Sequence, residues 1–391
     1  MKRIIAALLV AASIPASAQD FEVDHNGNWI LRAIVVGGKT KKQVRLIVDT
    51  GSEVSLLDAS LFEGIKPKTL GKANVKDLGQ TNRQLEVVEV EEVLIGPHRF
   101  KKFKALLSDL HLRFSGSMDH PVDGILGMDL MRNMTFQWDE KSQALEWGLG
   151  DLGRYDLSIP IEYVGNLPYL PIRIGGKNTR ALFDTGAVGA GFIIPSKSWD
   201  DSKSTKTGSA FGQISFFEGV FEGQIRLGGA IWTDPPVDYV KQNTEMVILG
   251  NRLFRNNAIF IDFKSRKLYI RTGNLGMRVP ASKRLKLALR WDGDRRLIIA
   301  GMKPGGDFEK AGFRPGDQLV RLGELRGVAL TIRTAYEYLE SMKIIQAIVL
   351  RDKKELELTV SQDASLNQTT QPSESVKPPQ GTPGGTSSHR E

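Results

Sequence analysis

Leu46-Ile47-Val48-Asp49-Thr50-Gly51 and Ala181-Leu182-Phe183-Asp184-Thr185-Gly186 are the two stretches on which the fold of this chain turns. In each, an apolar run of strand character ends in Asp-Thr-Gly. A carboxylate that follows a buried strand and sits in a Thr-Gly turn is presented on a tight loop, where glycine lets a second backbone approach closely. Two such loops face to face set two carboxyls side by side. At contact distance both cannot ionise, so the pair shares a proton and offers one base and one acid.

The surroundings of the two triplets also repeat. Val35-Val36-Gly37-Gly38-Lys39 precedes the first and Ile174-Gly175-Gly176-Lys177 the second, while Ile125-Leu126-Gly127 downstream is echoed by Ile248-Leu249-Gly250. Residues 125–147 set without gaps on 248–270 match at Leu130/Leu253, Arg132/Arg255, Asn133/Asn256, Asp139/Asp262, Lys141/Lys264, Ser142/Ser265 and Leu145/Leu268. The repeat unit is over a hundred residues long, too long for a solenoid unit, and fits two homologous lobes.

The order apolar-Asp-Thr-Gly, β-rich middle, apolar-apolar-Gly and closing hairpin resembles a lobe of the retropepsin and pepsin aspartic peptidases. The short, plain halves are most similar to a bacterial retropepsin-like duplication over roughly residues 25–272. The resemblance implies an all-β fold of double-lobed acid-protease barrels, with Asp49 and Asp184 as the catalytic pair and Gly51 and Gly186 in the loops that carry them. It also gives Thr50 and Thr185 hydroxyls that bond across the lobe boundary. A water held between the carboxyls would attack a peptide bond with no covalent intermediate, no metal and no cofactor. Ser52 follows the first triplet, where its hydroxyl can bond the outer oxygen of Asp49. Ala187 at the matching place cannot, so the shared proton is expected on Asp184. A flap is expected at Gly79–Val87, with Gln80 and Thr81 toward substrate, and its counterpart near Gly208–Phe217 offers Phe211 and Phe216 as lining or as core.

Lys2-Arg3, an apolar stretch from Ile4 to Ile14 and Ala16-Ser17-Ala18 read as a signal peptide over residues 1–18, the alternative being an uncleaved anchor. No later segment approaches the roughly 20 apolar residues of a membrane span. The chain of 391 residues has no cysteine and a net charge of +8. Export without disulfides points to a bacterial envelope protein, periplasmic or secreted. The basic patches read as solvated faces, with no nucleic-acid pattern of interleaved aromatics.

The expected division is lobe 1 over 19–152, lobe 2 over 153–272 and a linker over 273–284. A third domain follows over 285–361, then a polar disordered tail over 362–391. The third domain reads as two strands about Asp292-Gly293, the run Ala311-Gly312-Phe313-Arg314-Pro315-Gly316-Asp317, a helix with apolar spacing at Ala335, Leu339 and Met342, and two more strands. This order is similar to a bacterial PDZ domain. The resemblance implies strand addition of a peptide in a groove formed by Leu287, Leu289, Tyr336 and Leu339. Lys286 stands where such domains place a glycine in the carboxylate-binding loop, and a packing or positioning role stays open.

His25, His98, His111, His120 and His389 show no metal-ligand spacing, and there is no Gly-x-Ser-x-Gly elbow or cysteine nucleophile. The rival from another class is a non-catalytic envelope peptide-binding protein on the same frame. Protein or peptide substrates are expected with either, and a dyad complete within one chain leaves a monomer sufficient.

Overall fold

The computed structural model describes residues 21–24, 27–76, 82–96, 98–114, 118–139, 144–147, 155–187, 191–196, 205–208, 213–241, 246–254, 257–271, 285, 287–292, 294–302 and 305–362. The expected signal peptide, the linker, the tail beyond Gln362, and Lys286 in the third domain lie outside them.

Thr40–Val48 begins polar and exposed and ends with Leu46, Ile47 and Val48 buried, so the strand dives into the core as it reaches Asp49. It is the antiparallel partner of Trp29–Gly37 and the parallel partner of Gly124–Leu126, with Val48 opposite Leu126. Leu56–Asp58 flanks Gly124–Leu126 on the other side. The eight-stranded sheet continues through His98–Ser108 and Asn82–Ile95 to Lys68–Lys76. A pairing between Trp29–Gly37 and Asn82–Ile95 closes it into a barrel.

The second copy repeats the plan. Lys177–Asp184 pairs antiparallel with Leu167–Ile174 and parallel with Val247–Gly250, which is flanked by Phe192–Ser196. The fold is therefore all-β, with two barrel sheets built on one strand plan. Strands of both copies lie side by side in a five-stranded sheet, joined where Thr135–Asp139 pairs with Ala258–Asp262. One hydrophobic core runs through both copies, with Trp29 against Trp138 (ring centroids 5.4 Å apart) and Phe183 edge-on to Phe254 at 4.9 Å.

Two short turns follow strand ends. The segment Leu56–Leu61 starts as a strand because Leu56 and Leu57 are pinned between two neighbours in the sheet. Only after Asp58, whose side chain accepts the Ser60 amide, does the chain coil into the 3₁₀ turn Ala59–Phe62. The second turn lies at Met128–Met131, immediately behind Gly127.

Residues 285–362 form a six-stranded sheet with its own core and the helix Ile332–Ser341. Asp317 of the Arg-Pro-Gly-Asp run is buried. It accepts the Arg314 amide at 2.9 Å and two bonds from the Arg351 guanidinium at 2.7 Å each, so this run is a fastened turn. Ala335 and Leu339 face the core as the spacing predicts. Met342 does not: the helix ends at Ser341, Met342 is 41% exposed, and the other inward places belong to Ile332 and Tyr336.

Candidate active site

Asp49 and Asp184 arrive at one place because their two strands end against parallel Ile-Leu-Gly partners: the Asp49 amide donates to Leu126 O at 3.1 Å, and Asp184 lies opposite Gly250. Each loop turns back on itself, Ser52 N to Asp49 O and Ala187 N to Asp184 O, both 3.3 Å. Behind the turns, Met128 N donates to Ser52 O at 2.8 Å and Asn251 N to Ala187 O at 3.1 Å. The loops are thus near copies in geometry as well as in sequence.

The threonines lock the copies together. Thr50 Oγ1 donates to Phe183 O at 2.6 Å and accepts from Thr185 N at 3.0 Å. Thr185 Oγ1 donates to Val48 O at 2.7 Å and accepts from Thr50 N at 3.0 Å. Both side chains are buried, and all four bonds cross between the copies.

The glycines state where the carboxyls lie. A Cβ on Gly51 would sit 2.4 Å from Asp184 Cγ, and one on Gly186 would sit 2.6 Å from Asp49 Cγ. Each carboxyl therefore rests over the opposite loop, on space that only glycine leaves open. Gly51 N and Gly186 N each donate to their own loop's Asp Oδ1 at 2.9 Å, and Ala187 N adds a bond to Asp184 Oδ1 at 3.1 Å.

Burial is the first cause raising both carboxyls above the usual carboxylate range. Asp49 is raised well above it. The Asp184 charge adds to its burial, and so does the hydrogen bond between the two side chains, against the pull of the Gly51 and Ser52 amides. On Asp184 the Gly186 and Ala187 amides and the bond from Asp49 work against burial. The two carboxyls titrate as one coupled pair, and close contact favours a single proton shared between them. Ser52 does not make the bond expected of it from the sequence. Its hydroxyl donates to Val54 O at 2.7 Å within its own loop and gives Asp49 no side-chain donor.

A second support was not read from the sequence. The Asp129 carboxylate accepts Ser55 Oγ at 2.7 Å, Ser55 N at 3.0 Å and Leu130 N at 3.0 Å, while Ser55 Oγ accepts Gly127 N at 2.9 Å. This ties the loop after Asp49 to its Ile-Leu-Gly strand. Burial raises the Asp129 carboxyl, with the Ser55 hydroxyl and amide opposing. A signal existed: within an otherwise repeated segment, Asp129 aligns with Arg252.

Of the remaining candidates, Gln80, Thr81 and Phe211 lie outside the described residues. The flap stretch Gly79–Val87 begins there too and continues into the hairpin arm Asn82–Ile95, paired with Lys68–Lys76. Phe216 is half-buried on Gln213–Val220, opposite Val240. Leu287, Leu289, Tyr336 and Leu339 come together, and all four are buried. His111 lies between Asp58 and Asp123, at 3.5 and 2.8 Å. Among the described residues no group of three or more His, Asp or Glu is placed to hold a metal, and no helix is long and apolar enough to cross a membrane.

Residues 33–130 match the family model described as aspartyl protease. The matched stretch holds Asp49, Thr50, Ser55 and Ile125-Leu126-Gly127, and the likeness supports a protease, hence hydrolase, of the aspartic type acting on peptides. No curated protein matches the chain.

Proposed function

We infer that the protein is an exported aspartic endopeptidase of the bacterial envelope, working as a single chain through Asp49 and Asp184. The paired Asp-Thr-Gly loops, interlocked by Thr50 and Thr185, are the observation that carries this. With one proton shared by Asp49 and Asp184, the ionised carboxyl is the base. It takes a proton from a water lying between the carboxyls while the water oxygen attacks the scissile carbonyl carbon, and the protonated carboxyl gives its proton to the carbonyl oxygen. Collapse of the resulting diol, with a proton passed to the amide nitrogen, breaks the C–N bond. Lys2-Arg3, the apolar run behind it and Ala16-Ser17-Ala18 support export. The C-terminal sheet with its outer strand and its helix supports a role, like that of a PDZ domain, in recruiting or positioning the polypeptide.

The test is cleavage of a peptide library by the purified mature chain, from about pH 3 to about pH 8, with and without pepstatin. Cleavage that pepstatin blocks is expected. Asp49→Asn and Asp184→Asn each should lower it by at least on the order of 10³-fold while far-UV circular dichroism stays unchanged, since each removes half of a shared-proton pair. Near-full activity in either variant would break the single-dyad assignment. A wild-type chain that cuts nothing over the whole range would leave a peptide-binding protein on this frame.

A further inference from the structure

Leu287–Trp291 is the outer strand of the C-terminal sheet, paired on one side with Leu297–Met302. On its other side a strand added from a peptide would bond the main-chain groups there. Two of those groups are taken. Leu289 N donates to the Tyr336 hydroxyl at 3.0 Å, and that hydroxyl donates to Leu287 O at 3.1 Å, all within buried surroundings. One oxygen thus plays both parts of a peptide group, accepting from one residue and donating to another two residues away. The edge is satisfied from inside, as buried main-chain groups require.

Tyr336 stands on the helix Ile332–Ser341, and the same helix is fastened to the first barrel. The Asp119 carboxylate accepts Ile332 N at 2.9 Å, Arg333 N at 3.2 Å and the Trp291 indole Nε1 at 3.2 Å. Thr331 Oγ1 takes the next amide of the first turn, Thr334 N, at 3.1 Å. Asp119 thereby completes the cap of this helix from the other side of an interface, with the helix dipole in its favour. The fastening is broader than one carboxylate. Arg295 donates to Met118 O and Asp119 O while stacking over the Trp291 ring at 4.7 Å, and Arg333 Nη2 donates to Val23 O at 2.6 Å.

Groove wall and docking element are therefore one helix, and Trp291 at the end of the groove strand shares its anchor. We propose that Tyr336 is an internal gate on the strand edge Leu287–Leu289 and that Asp119 is its latch. An extended peptide pairs with this edge only when Tyr336 swings away, and that movement works against the dock on Asp119. Peptide capture by the C-terminal sheet and its docking on the first barrel exclude each other. The partner is a main-chain strand that supplies one carbonyl to Leu289 N and one amide to Leu287 O. This rests on the strand-adding role of the C-terminal sheet and adds its regulation.

The experiment uses the full chain carrying Asp49→Asn, so that nothing bound is cut and the outcome does not depend on whether the dyad is catalytic. A phage-displayed library of random linear peptides is selected on this chain and on the same chain with Tyr336→Phe. The strongest sequences are then synthesised and titrated by fluorescence anisotropy. Tyr336→Phe leaves Leu289 N and Leu287 O without partners, which a bound strand restores, so binding is expected to tighten by about tenfold. Asp119→Asn keeps Tyr336 and weakens only the latch. It is expected to tighten the same peptides by a smaller factor, which separates gating from damage to the sheet. Equal affinities for all three chains would overturn the gate and leave strand addition standing. Failure to select any peptide on any of them would overturn both.

Discussion

The two Asp-Thr-Gly loops agree where they meet and differ where they are held from behind. At the front, threonine crosses to carbonyl and amide in both directions, and each glycine makes room for the opposite carboxyl. At the back, the first loop is tied within its own barrel: Gly127 N to Ser55 Oγ, Ser55 to Asp129. In the second, Gly250 N goes to a main-chain oxygen, Gly191 O, at 2.9 Å. The residue after Gly250, Asn251, reaches out of the copy altogether and donates through Nδ2 to Gly27 O at 2.9 Å. The second loop thus leans on the first copy and the first loop stands by itself. Identical chemistry at the dyad does not need identical scaffolding, only that the carboxyls end over each other's glycines.

The shared front makes the largest prediction. Thr50→Ala strips Phe183 O and Thr185 N of their partners, and Thr185→Ala does the same to Val48 O and Thr50 N, all of them buried. Each should cost about 2–4 kcal/mol, and the two should agree within about 1 kcal/mol. Urea unfolding of both variants beside the parent measures this. A large inequality would break the near two-fold equivalence of the loops.

The unshared back gives the next. Ser55→Ala or Asp129→Asn should cost about 1–3 kcal/mol, and no substitution of Arg252 can copy the effect, since nothing in the second copy matches Ser55. The pH dependence has a defined sign. Burial raises the Asp129 carboxyl above 3.8. Between that value and its raised one, the folded chain holds more protons at this site than the unfolded chain, so its contribution to stability falls as pH rises. Asparagine does not titrate. The stability lost on Asp129→Asn should therefore be greatest at the acid end and shrink with rising pH. A difference that grows with pH would mean that the carboxylate is better stabilised than its burial allows.

Much of this was legible because duplication leaves a pattern that one sequence can show. The repeated Asp-Thr-Gly and Ile-Leu-Gly stretches fix which strands lie side by side, and the parallel pairing of Val48 with Leu126 and of Phe183 with Leu249 follows that order. The five-stranded sheet shared by both copies was not legible. Thr135–Asp139 and Ala258–Asp262 read as ordinary hairpin arms, and nothing local says that they pair with each other across more than a hundred residues. Asp119 escaped for the same reason. It is a plain acidic residue in a loop, and its worth comes from a helix start over two hundred positions away. Ser52 failed differently. Its neighbour in sequence is Asp49, yet a hydroxyl on a tight turn reaches the carbonyl two residues on more easily than the carboxyl it follows.

That last failure sets the smallest effect and the sharpest use of the comparison. If a hydroxyl at the fourth place of the loop tuned the dyad, Ser52 against Ala187 would be the main functional difference between the copies. Ser52→Ala would then raise the acidic limb of the pH–rate profile, by removing a donor that favours the ionised form of Asp49. The hydroxyl instead donates to Val54 O, and the donors that reach Asp49 from its own loop are main-chain amides, as they are for Asp184. Ser52→Ala should therefore leave both limbs of the profile where they are and lower stability by about 1 kcal/mol or less, the worth of one partly exposed bond. The profile is measured for parent and variant on a single peptide. A limb that moves upward would place the hydroxyl on Asp49 in the working enzyme. An unmoved limb leaves the tuning of both carboxyls to burial, to the amides of their loops and to each other.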